Sequence, residues 1–320
     1  MCIRDRFGLD GKSRHEKTGN KKENGGGKKH NFGALCFNKS VTFRKLLLIS
    51  RPRFWIYLFG PYIVGWLCGA SSPNMFSDKL MILFGLYFLL PANLLVYGIN
   101  DIFDWETDKN NPKKLKYETL VTPLEHKSLA ATICFLTTPF LLLVIGTDPL
   151  SWLTLHLFLF SALAYSAPPI RAKTKPIFDS IFNVLYIFPG AFGYFLAGGQ
   201  NFHFAAFGAA WLWAMAMHAY SAIPDITVDR NASTPTVATL LGFNGTLLFC
   251  FACYALCALL AFPFIGFMAG VLGAVYLGLM IFSFQTKTED KLMRVYKWFP
   301  VVNTFCGFVL FWTIAISKFF

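Results

Sequence analysis

The sequence predicts an all-α polytopic membrane protein, and three observations support this prediction. Of the 320 residues, 55% are hydrophobic and only 14% are charged, whereas soluble domains average about 25% charged residues. So few charges could not cover a soluble globular enzyme, and so apolar a chain is neither disordered nor a coiled coil. From Phe54 onward, apolar runs close to the ~20 residues needed to span a bilayer follow one another with short gaps.

We count nine such runs and expect each to form a transmembrane helix. Pro168 and Pro169 end the fourth run, because proline cannot continue a helix. The division between the seventh and eighth runs, at Phe262 and Pro263, is the least distinct. No soluble domain fits between the runs. In chain order, the predicted spans cover residues 54–70, 80–100, 129–146, 150–167, 177–198, 204–223, 238–260, 263–284 and 298–317.

The net charge of +12 lies mostly near the N-terminus, where residues 1–53 contain 14 basic and 4 acidic residues. Residues 1–43 are polar and rich in Gly and Lys, which predicts a disordered tail ahead of a transmembrane domain over residues 44–320. The tail has no apolar core typical of a secretory signal peptide. Because the basic charge belongs mainly to this tail, we expect membrane lipid as a partner and no nucleic acid.

The positions of Lys and Arg also predict an orientation. Cytoplasmic loops of membrane proteins carry an excess of these residues. With the tail in the cytoplasm, the opposite side holds only Lys79 and Lys318. We therefore expect a multi-pass plasma-membrane protein whose N-terminus is cytoplasmic. The loops predicted on the cytoplasmic side cover residues 101–128, 168–176, 224–237 and 285–297.

An acidic motif follows directly from the second predicted span. Asn100, Asp104 and Asp108 are spaced i, i+4, i+8 and would share one helix face, with Asp101 adjacent. Like charges at this spacing repel, so carboxylates concentrated at the end of a span suggest a compensating cation. Oxygen ligands without His or Cys favour Mg²⁺, which often bridges to phosphates.

A second acidic pair, Asp225 and Asp229, follows the sixth predicted span on the same side of the membrane. Two clusters at one membrane level could face one cavity and bind a diphosphate through about two Mg²⁺ ions and basic side chains. The alternative is that these acids only cap helices and face water.

Basic residues lie between the two acidic motifs. Tyr165 ends the fourth span, and Arg171 and Lys173 follow it closely. These cations could bind phosphate oxygens and assist the departure of a leaving group. Arg51 opens the first span and could do the same. The alternative for all three cations is that they anchor the protein at the membrane interface.

These motifs resemble those of the UbiA superfamily of intramembrane prenyltransferases. That family has N-x-x-x-D-x-x-x-D on one cytoplasmic loop, D-x-x-x-D on another, and a Tyr-Ser element with basic residues between them. The resemblance covers about residues 44–317. The matching positions here are Asn100, Asp104, Asp108, Tyr165, Ser166, Arg171, Lys173, Asp225 and Asp229.

The resemblance implies nine helices around a central cavity with both acidic motifs at its cytoplasmic mouth. It implies Mg²⁺ as cofactor, a prenyl diphosphate as donor and a lipophilic acceptor that attacks an allylic cation. The expected catalytic residues are Asp104, Asp108, Asp225 and Asp229. The expected metal ligands are these four together with Asn100 and Asp101. The expected diphosphate-binding residues are Asn100, Tyr165, Arg171, Lys173 and Arg51.

Within the superfamily, the sequence is most similar in appearance to lycopene elongases, which attach a prenyl unit to a linear carotene, often with hydration. The runs that resemble this branch include SRPRFWIYLFGPYIVG and NDIFDWETDKNNPKK. Lys113 and Lys114 stand where members with aromatic acceptors usually have an Arg-Thr pair. The chlorophyll synthase, quinone and glycerol-phosphate lipid branches stay open, as does His218 as a polar group of the pocket. Outside the superfamily, an ion-coupled secondary transporter or a membrane scaffold is the alternative.

Overall fold

The computed structural model describes residues 40–109 and 119–320, and every regular element in these two stretches is helical. Short 3₁₀ turns join several of the α-helices. Lys113, Lys114 and most of the basic tail lie outside the described residues. The α-helices are α1 (Phe43–Ile49), α2 (Ile56–Gly69), α3 (Lys79–Leu89), α4 (Pro91–Phe103), α5 (Trp105–Asp108), α6 (Pro123–Leu143), α7 (Pro149–Ser166), α8 (Phe178–Ile181), α9 (Phe188–Leu196), α10 (Phe204–Ala222), α11 (Ile226–Asn231), α12 (Val237–Ile265), α13 (Phe267–Phe284), α14 (Glu289–Tyr296) and α15 (Phe299–Phe319).

Within the described residues, six helical segments are long and apolar enough to cross a membrane. Each overlaps one of the nine predicted spans, and exposed apolar side chains such as Phe135, Leu259 and Phe305 lie along them. The chain is therefore an integral membrane protein. The six segments are Lys79–Phe103, Pro123–Gly146, Pro149–Ser166, Val237–Ile265, Phe267–Phe284 and Glu289–Phe319.

The other three predicted spans also form helices, but they do not meet the same criteria, so the count of nine is not confirmed. The run 54–70 contains α2, whose 14 residues extend only about 21 Å against a hydrocarbon core of about 30 Å. The run 177–198 is divided into α8, a 3₁₀ turn and α9 instead of one continuous helix. The run 204–223 contains α10, whose Trp, Tyr and His side chains make it less apolar than the six.

Two of these shorter helices, α2 and α9, pack against each other at very close range. A Cβ atom added to Gly65 would lie 1.8 Å from the carbonyl oxygen of Gly190, so only glycine permits this approach. Beside this contact, aromatic rings from α3 and α9 fill the core. The ring centroids of Phe84 and Phe192 are 4.7 Å apart. Helix α9 follows closely on the 3₁₀ turn Phe182–Tyr186, which contributes Tyr186 to the cavity described below.

Candidate active site

The first acidic motif lies at a break between two helices. Helix α4 ends at Phe103, and Asp104 has φ −102° and ψ 6° before α5 begins. This sparsely populated bridge conformation is frequent among active-site residues. Asn100 therefore lies in the last turn of α4, whereas Asp108 ends α5. The prediction of one continuous helix through the motif is wrong in this detail, because α4 ends before the central aspartate and α5 begins after it.

The second acidic motif repeats this construction. Asp225 ends a 3₁₀ turn after α10 and has φ −107° and ψ 3°, nearly the same backbone conformation as Asp104. Asp229 follows within α11. Burial, followed by the charge of Asp225, raises the pKa of Asp229 to about 7. Because burial and neighbouring acidic residues disfavour its charged form, this carboxylate is suited to a site that binds a cation.

The basic segment after α7 reaches the first motif directly. Lys173 Nζ donates to Asp104 Oδ2 at 2.5 Å and to Asn100 Oδ1 at 2.9 Å, and Arg171 Nη2 donates to Asp104 Oδ1 at 3.2 Å. Burial lowers the pKa of Lys173, while the charge of Asp104 opposes this shift. Ser166 Oγ also donates to Asn100 Oδ1 at 3.3 Å. The predicted diphosphate-binding cations thus contact the predicted metal-binding residues.

Arg171 has two features that mark it as more than an interfacial anchor. Its φ is 42°, in the left-handed region that is uncommon for residues other than glycine. Its Nε is buried and has no hydrogen-bond partner among the described residues. Such an orphaned donor beside the first motif is available to an anionic ligand.

Arg51, from the start of the first predicted span, also lies beside the first acidic motif. Its Nη2 donates to Asp101 Oδ1 at 3.0 Å, and both side chains are largely buried. Its guanidinium carbon lies 4.8 Å from the ring centroid of Tyr97, and its φ of 52° is again left-handed. Asp101 therefore holds Arg51 at the site. Its predicted role as a metal ligand stays a prediction.

A small, partly open cavity of about 80 Å³ lies beside the first motif. Tyr165 lines it, as do Asn100 of the first motif and Ser221, which lies in the last turn of α10 four residues before Asp225. The cavity is therefore bordered by the first motif and by the helix that leads to the second. The lining residues used below are Arg51, Tyr97, Asn100, Tyr165, Tyr186 and His218.

The donor atoms of the two motifs suit a hard divalent cation such as Mg²⁺, since they are all oxygens. Within residues 40–109 and 119–320, however, no three His, Cys, Asp or Glu side chains converge on one point. An ion bound at either motif must therefore take further ligands from water or from a bound anion. Mg²⁺ commonly binds in this way, through one or two carboxylates plus phosphate oxygens.

Tyr97, Tyr186 and Asp179, in or beside the cavity, did not emerge from the sequence motifs, whereas the sequence leaves His218 open as a polar group of the pocket. Tyr97 and Tyr186 bring their hydroxyl oxygens to 3.5 Å from each other across the cavity. Asp179 is fully buried and lies 3.3 Å from His218, measured from Oδ2 to Nε2. The position of Tyr97, one turn before Asn100, was a usable signal because the two share a helix face. The other pairs join residues far apart in the sequence and carry no local signal.

Comparison with known proteins gives the same picture as the geometry. The UbiA prenyltransferase family model matches residues 58–301. The chain is 42% identical over 272 residues to a lycopene elongase/hydratase of Haloarcula japonica, covering 82% of this chain and 88% of that protein. It is 39% identical over 268 residues to a lycopene elongase/hydratase of Halobacterium salinarum, covering 83% of this chain and 95% of that protein.

A solved structure has the same fold. It is a UbiA homologue from Archaeoglobus fulgidus bound to GPP and Mg²⁺, with a TM-score of 0.62 and 18% sequence identity. The similarity covers 83% of this chain and 99% of that one. At this identity the comparison establishes the fold and not the ligands.

Proposed function

The chain belongs to the UbiA prenyltransferase family, and we propose that it transfers an isoprenoid group from a prenyl diphosphate to a linear carotenoid such as lycopene. The observation that best supports this proposal is the contact of two basic side chains, Lys173 and Arg171, with Asp104 of the first acidic motif, beside a cavity that the helix leading to the second motif also lines. Such an arrangement binds a diphosphate at a membrane interface. The carotenoid acceptor is inferred from the two elongase/hydratase relatives.

We assign the diphosphate to the space between the motifs. Lys173 and Arg171 contact Asp104 and can turn their remaining N–H groups to phosphate oxygens, while Asn100 and Tyr165 complete the polar wall. Mg²⁺ bound by Asp104, Asp108, Asp225 and Asp229, with Asn100 and Asp101 as the further predicted ligands, would supply Lewis-acid stabilisation of the leaving diphosphate.

In this proposal, residues of the chain stabilise the charges on both fragments of the donor, the leaving diphosphate and the prenyl cation. Negative charge builds on the diphosphate as its C–O bond breaks, and Arg51, Arg171 and Lys173 lie where they can neutralise it. The positive charge on the departing prenyl group needs a dry, electron-rich surface. The rings of Tyr97 and Tyr186 line the cavity and provide such a surface. We therefore propose that the prenyl group points toward these two rings.

Two observations favour this function over the alternatives. An ion-coupled transporter would carry its acids near the middle of the bilayer, whereas both acidic motifs here stand at helix ends. Among the branches of the family, the elongase/hydratase relatives match over more than four-fifths of the chain, which favours a carotenoid over a chlorophyll, quinone or glycerol-phosphate acceptor.

We further propose that all nine apolar runs cross or enter the bilayer, with the N-terminus and the mouth of the site cytoplasmic in a plasma membrane. Residues 1–43 would then be a basic tail that contacts membrane lipid, and residues 44–320 the catalytic domain. Deletion of residues 1–40 should leave prenyl transfer intact.

The proposal is tested by offering purified protein dimethylallyl, geranylgeranyl and phytyl diphosphates with lycopene, an aromatic acid or chlorophyllide. We expect pyrophosphate release together with a prenylated carotenoid, identified by mass. Transfer to the aromatic acid or to chlorophyllide, with lycopene unchanged, would contradict the carotenoid assignment. Flux of an ion across proteoliposomes without pyrophosphate release would contradict the enzyme.

A further inference from the structure

His218 lines the cavity, although it belongs to neither acidic motif. Its Nε2 lies 3.3 Å from Asp179 Oδ2. Among the residues that the structure describes, Nδ1 has no hydrogen-bond partner. Because a carboxylate only accepts hydrogen bonds, the contact with Asp179 places the proton of a neutral imidazole on Nε2. The lone pair is then on Nδ1.

Hydrogen bonds from two backbone N–H groups hold the Asp179 carboxylate in place beside the His218 ring. Asp179 is fully buried in α8, and its Oδ2 also accepts a hydrogen bond of 2.8 Å from the backbone N–H of Val237, the first residue of α12. Its Oδ1 accepts one of 3.0 Å from Ser180 N. Rotation of the carboxylate away from His218 would therefore break its hydrogen bond with the backbone N–H of Val237 at the start of α12.

The position of His218 along α10 places it closer to the expected site of the reacting carbon atoms than to that of the diphosphate. His218 precedes Asp225 by seven residues, which at a rise of 1.5 Å per residue is roughly 10 Å deeper in the bilayer. Its ring meets that of Tyr165 edge-on, with centroids 6.2 Å apart. The other titratable groups lining the cavity are Arg51 and the phenols of Tyr97, Tyr165 and Tyr186, which carry their protons at neutral pH. His218 is thus the one imidazole in the lining, and its Nδ1 has no partner among the described residues.

The proposed reaction creates a need for a base. The C–O bond of the donor breaks, and its electron pair leaves with the diphosphate. The π electrons of a terminal C=C bond of the carotene then form the new C–C bond, which leaves a tertiary carbocation on the acceptor. This cation is discharged by loss of a proton from an adjacent carbon, giving an alkene, or by addition of water, whose oxygen then loses a proton to give an alcohol.

We propose that His218 Nδ1 accepts this proton and that Asp179 is the positioning residue that orients it and stabilises the resulting imidazolium. The proton then passes from the imidazolium to solvent through the open side of the cavity. This inference rests on the proposed function, because only a cationic intermediate on the acceptor requires the base.

The test measures two quantities in each variant: pyrophosphate released, and prenylated carotenoid formed per pyrophosphate. In His218→Gln, we expect pyrophosphate release within about threefold of the wild type and carotenoid product lowered by about 10²-fold, the usual contribution of a general base. The unused prenyl cation should appear as free prenyl alcohol. Asp179→Asn should lower the product per pyrophosphate in the same direction.

A matched control and a rescue distinguish a base from a packing residue. His203 is exposed just before the start of the same helix α10, so His203→Gln should behave as the wild type. In His218→Ala, added imidazole should restore product formation, which it could not do for a purely structural defect. The proposal is overturned if product and pyrophosphate fall in parallel without rescue, or if the product per pyrophosphate is unchanged. A wild-type protein that releases no pyrophosphate contradicts the proposed function instead.

Discussion

Substitution of Lys173 distinguishes most clearly between a role in binding the diphosphate and a role in anchoring the protein in the membrane. Lys173 is only 12% exposed, and its Nζ contacts both Asp104 and Asn100. We propose that the same ammonium group faces the leaving diphosphate once the donor is bound. The change to test is Lys173→Met, which keeps the length of the side chain and removes its charge.

The size of the effect follows from the geometry. Two unit charges about 4 Å apart interact by about 4 kcal/mol at an effective dielectric constant of about 20. Removal of one preorganised donor from a developing anion typically costs 10²- to 10³-fold in rate, which is of the same order. We therefore expect kcat/KM for the prenyl diphosphate to fall by about 10²- to 10³-fold in Lys173→Met.

Lys175 is the matched control. It lies two residues further along the same basic segment and is exposed. If these cations only anchor the protein, Lys173→Met and Lys175→Met should act alike. Initial rates of pyrophosphate release in detergent or proteoliposomes measure the difference. Equal effects of the two substitutions, or full activity in Lys173→Met, would refute the reasoning.

Two further predictions concern stability. Arg51→Met removes a charged partner of the buried Asp101 and should destabilise the fold by up to about 3 kcal/mol. Arg51→Met with Asp101→Asn should recover much of this loss. Thermal unfolding of the purified protein checks both, and an unchanged midpoint in the single variant would contradict the pairing. Gly65→Ala should force α2 and α9 apart and lower the free energy of unfolding by about 1–3 kcal/mol. Gly60→Ala on the same helix, where the nearest atom would lie 3.6 Å from the added Cβ, should be tolerated. Similar losses of stability in both variants would show that the close approach is unimportant.

Hydropathy was sufficient to find the helices but not their continuity. The run 263–284 contains the single helix Phe267–Phe284, whereas the run 238–260 lies in a helix interrupted at Gly242, where φ is 69° and ψ is −178°. The run 177–198 was predicted as one span, yet it is divided at the 3₁₀ turn Phe182–Tyr186. Hydropathy measures transfer free energy and contains no information on φ and ψ. It therefore cannot distinguish a straight span from a broken one.

The site shows a similar division between local and long-range information. The spacing of Asp104 and Asp225 in their motifs was visible locally, although the backbone turns at each aspartate were not. The contact of Lys173 with Asp104 spans 69 residues, and that of His218 with Asp179 spans 39. Such pairs depend on helix packing that no local pattern encodes. The family resemblance assigned Lys173 and Asp104 to one diphosphate site without predicting their contact, and the pairing of His218 with Asp179 required the structure.

We propose that the two acidic motifs act together on one prenyl diphosphate. The most direct test of this central claim compares Asp104→Ala and Asp225→Ala with the wild type, measuring pyrophosphate release and prenylated carotenoid in the same reaction. Each substitution should abolish both, by at least about 10²-fold, while the protein still inserts into the membrane. Full activity in either variant, in properly inserted protein, would contradict the account.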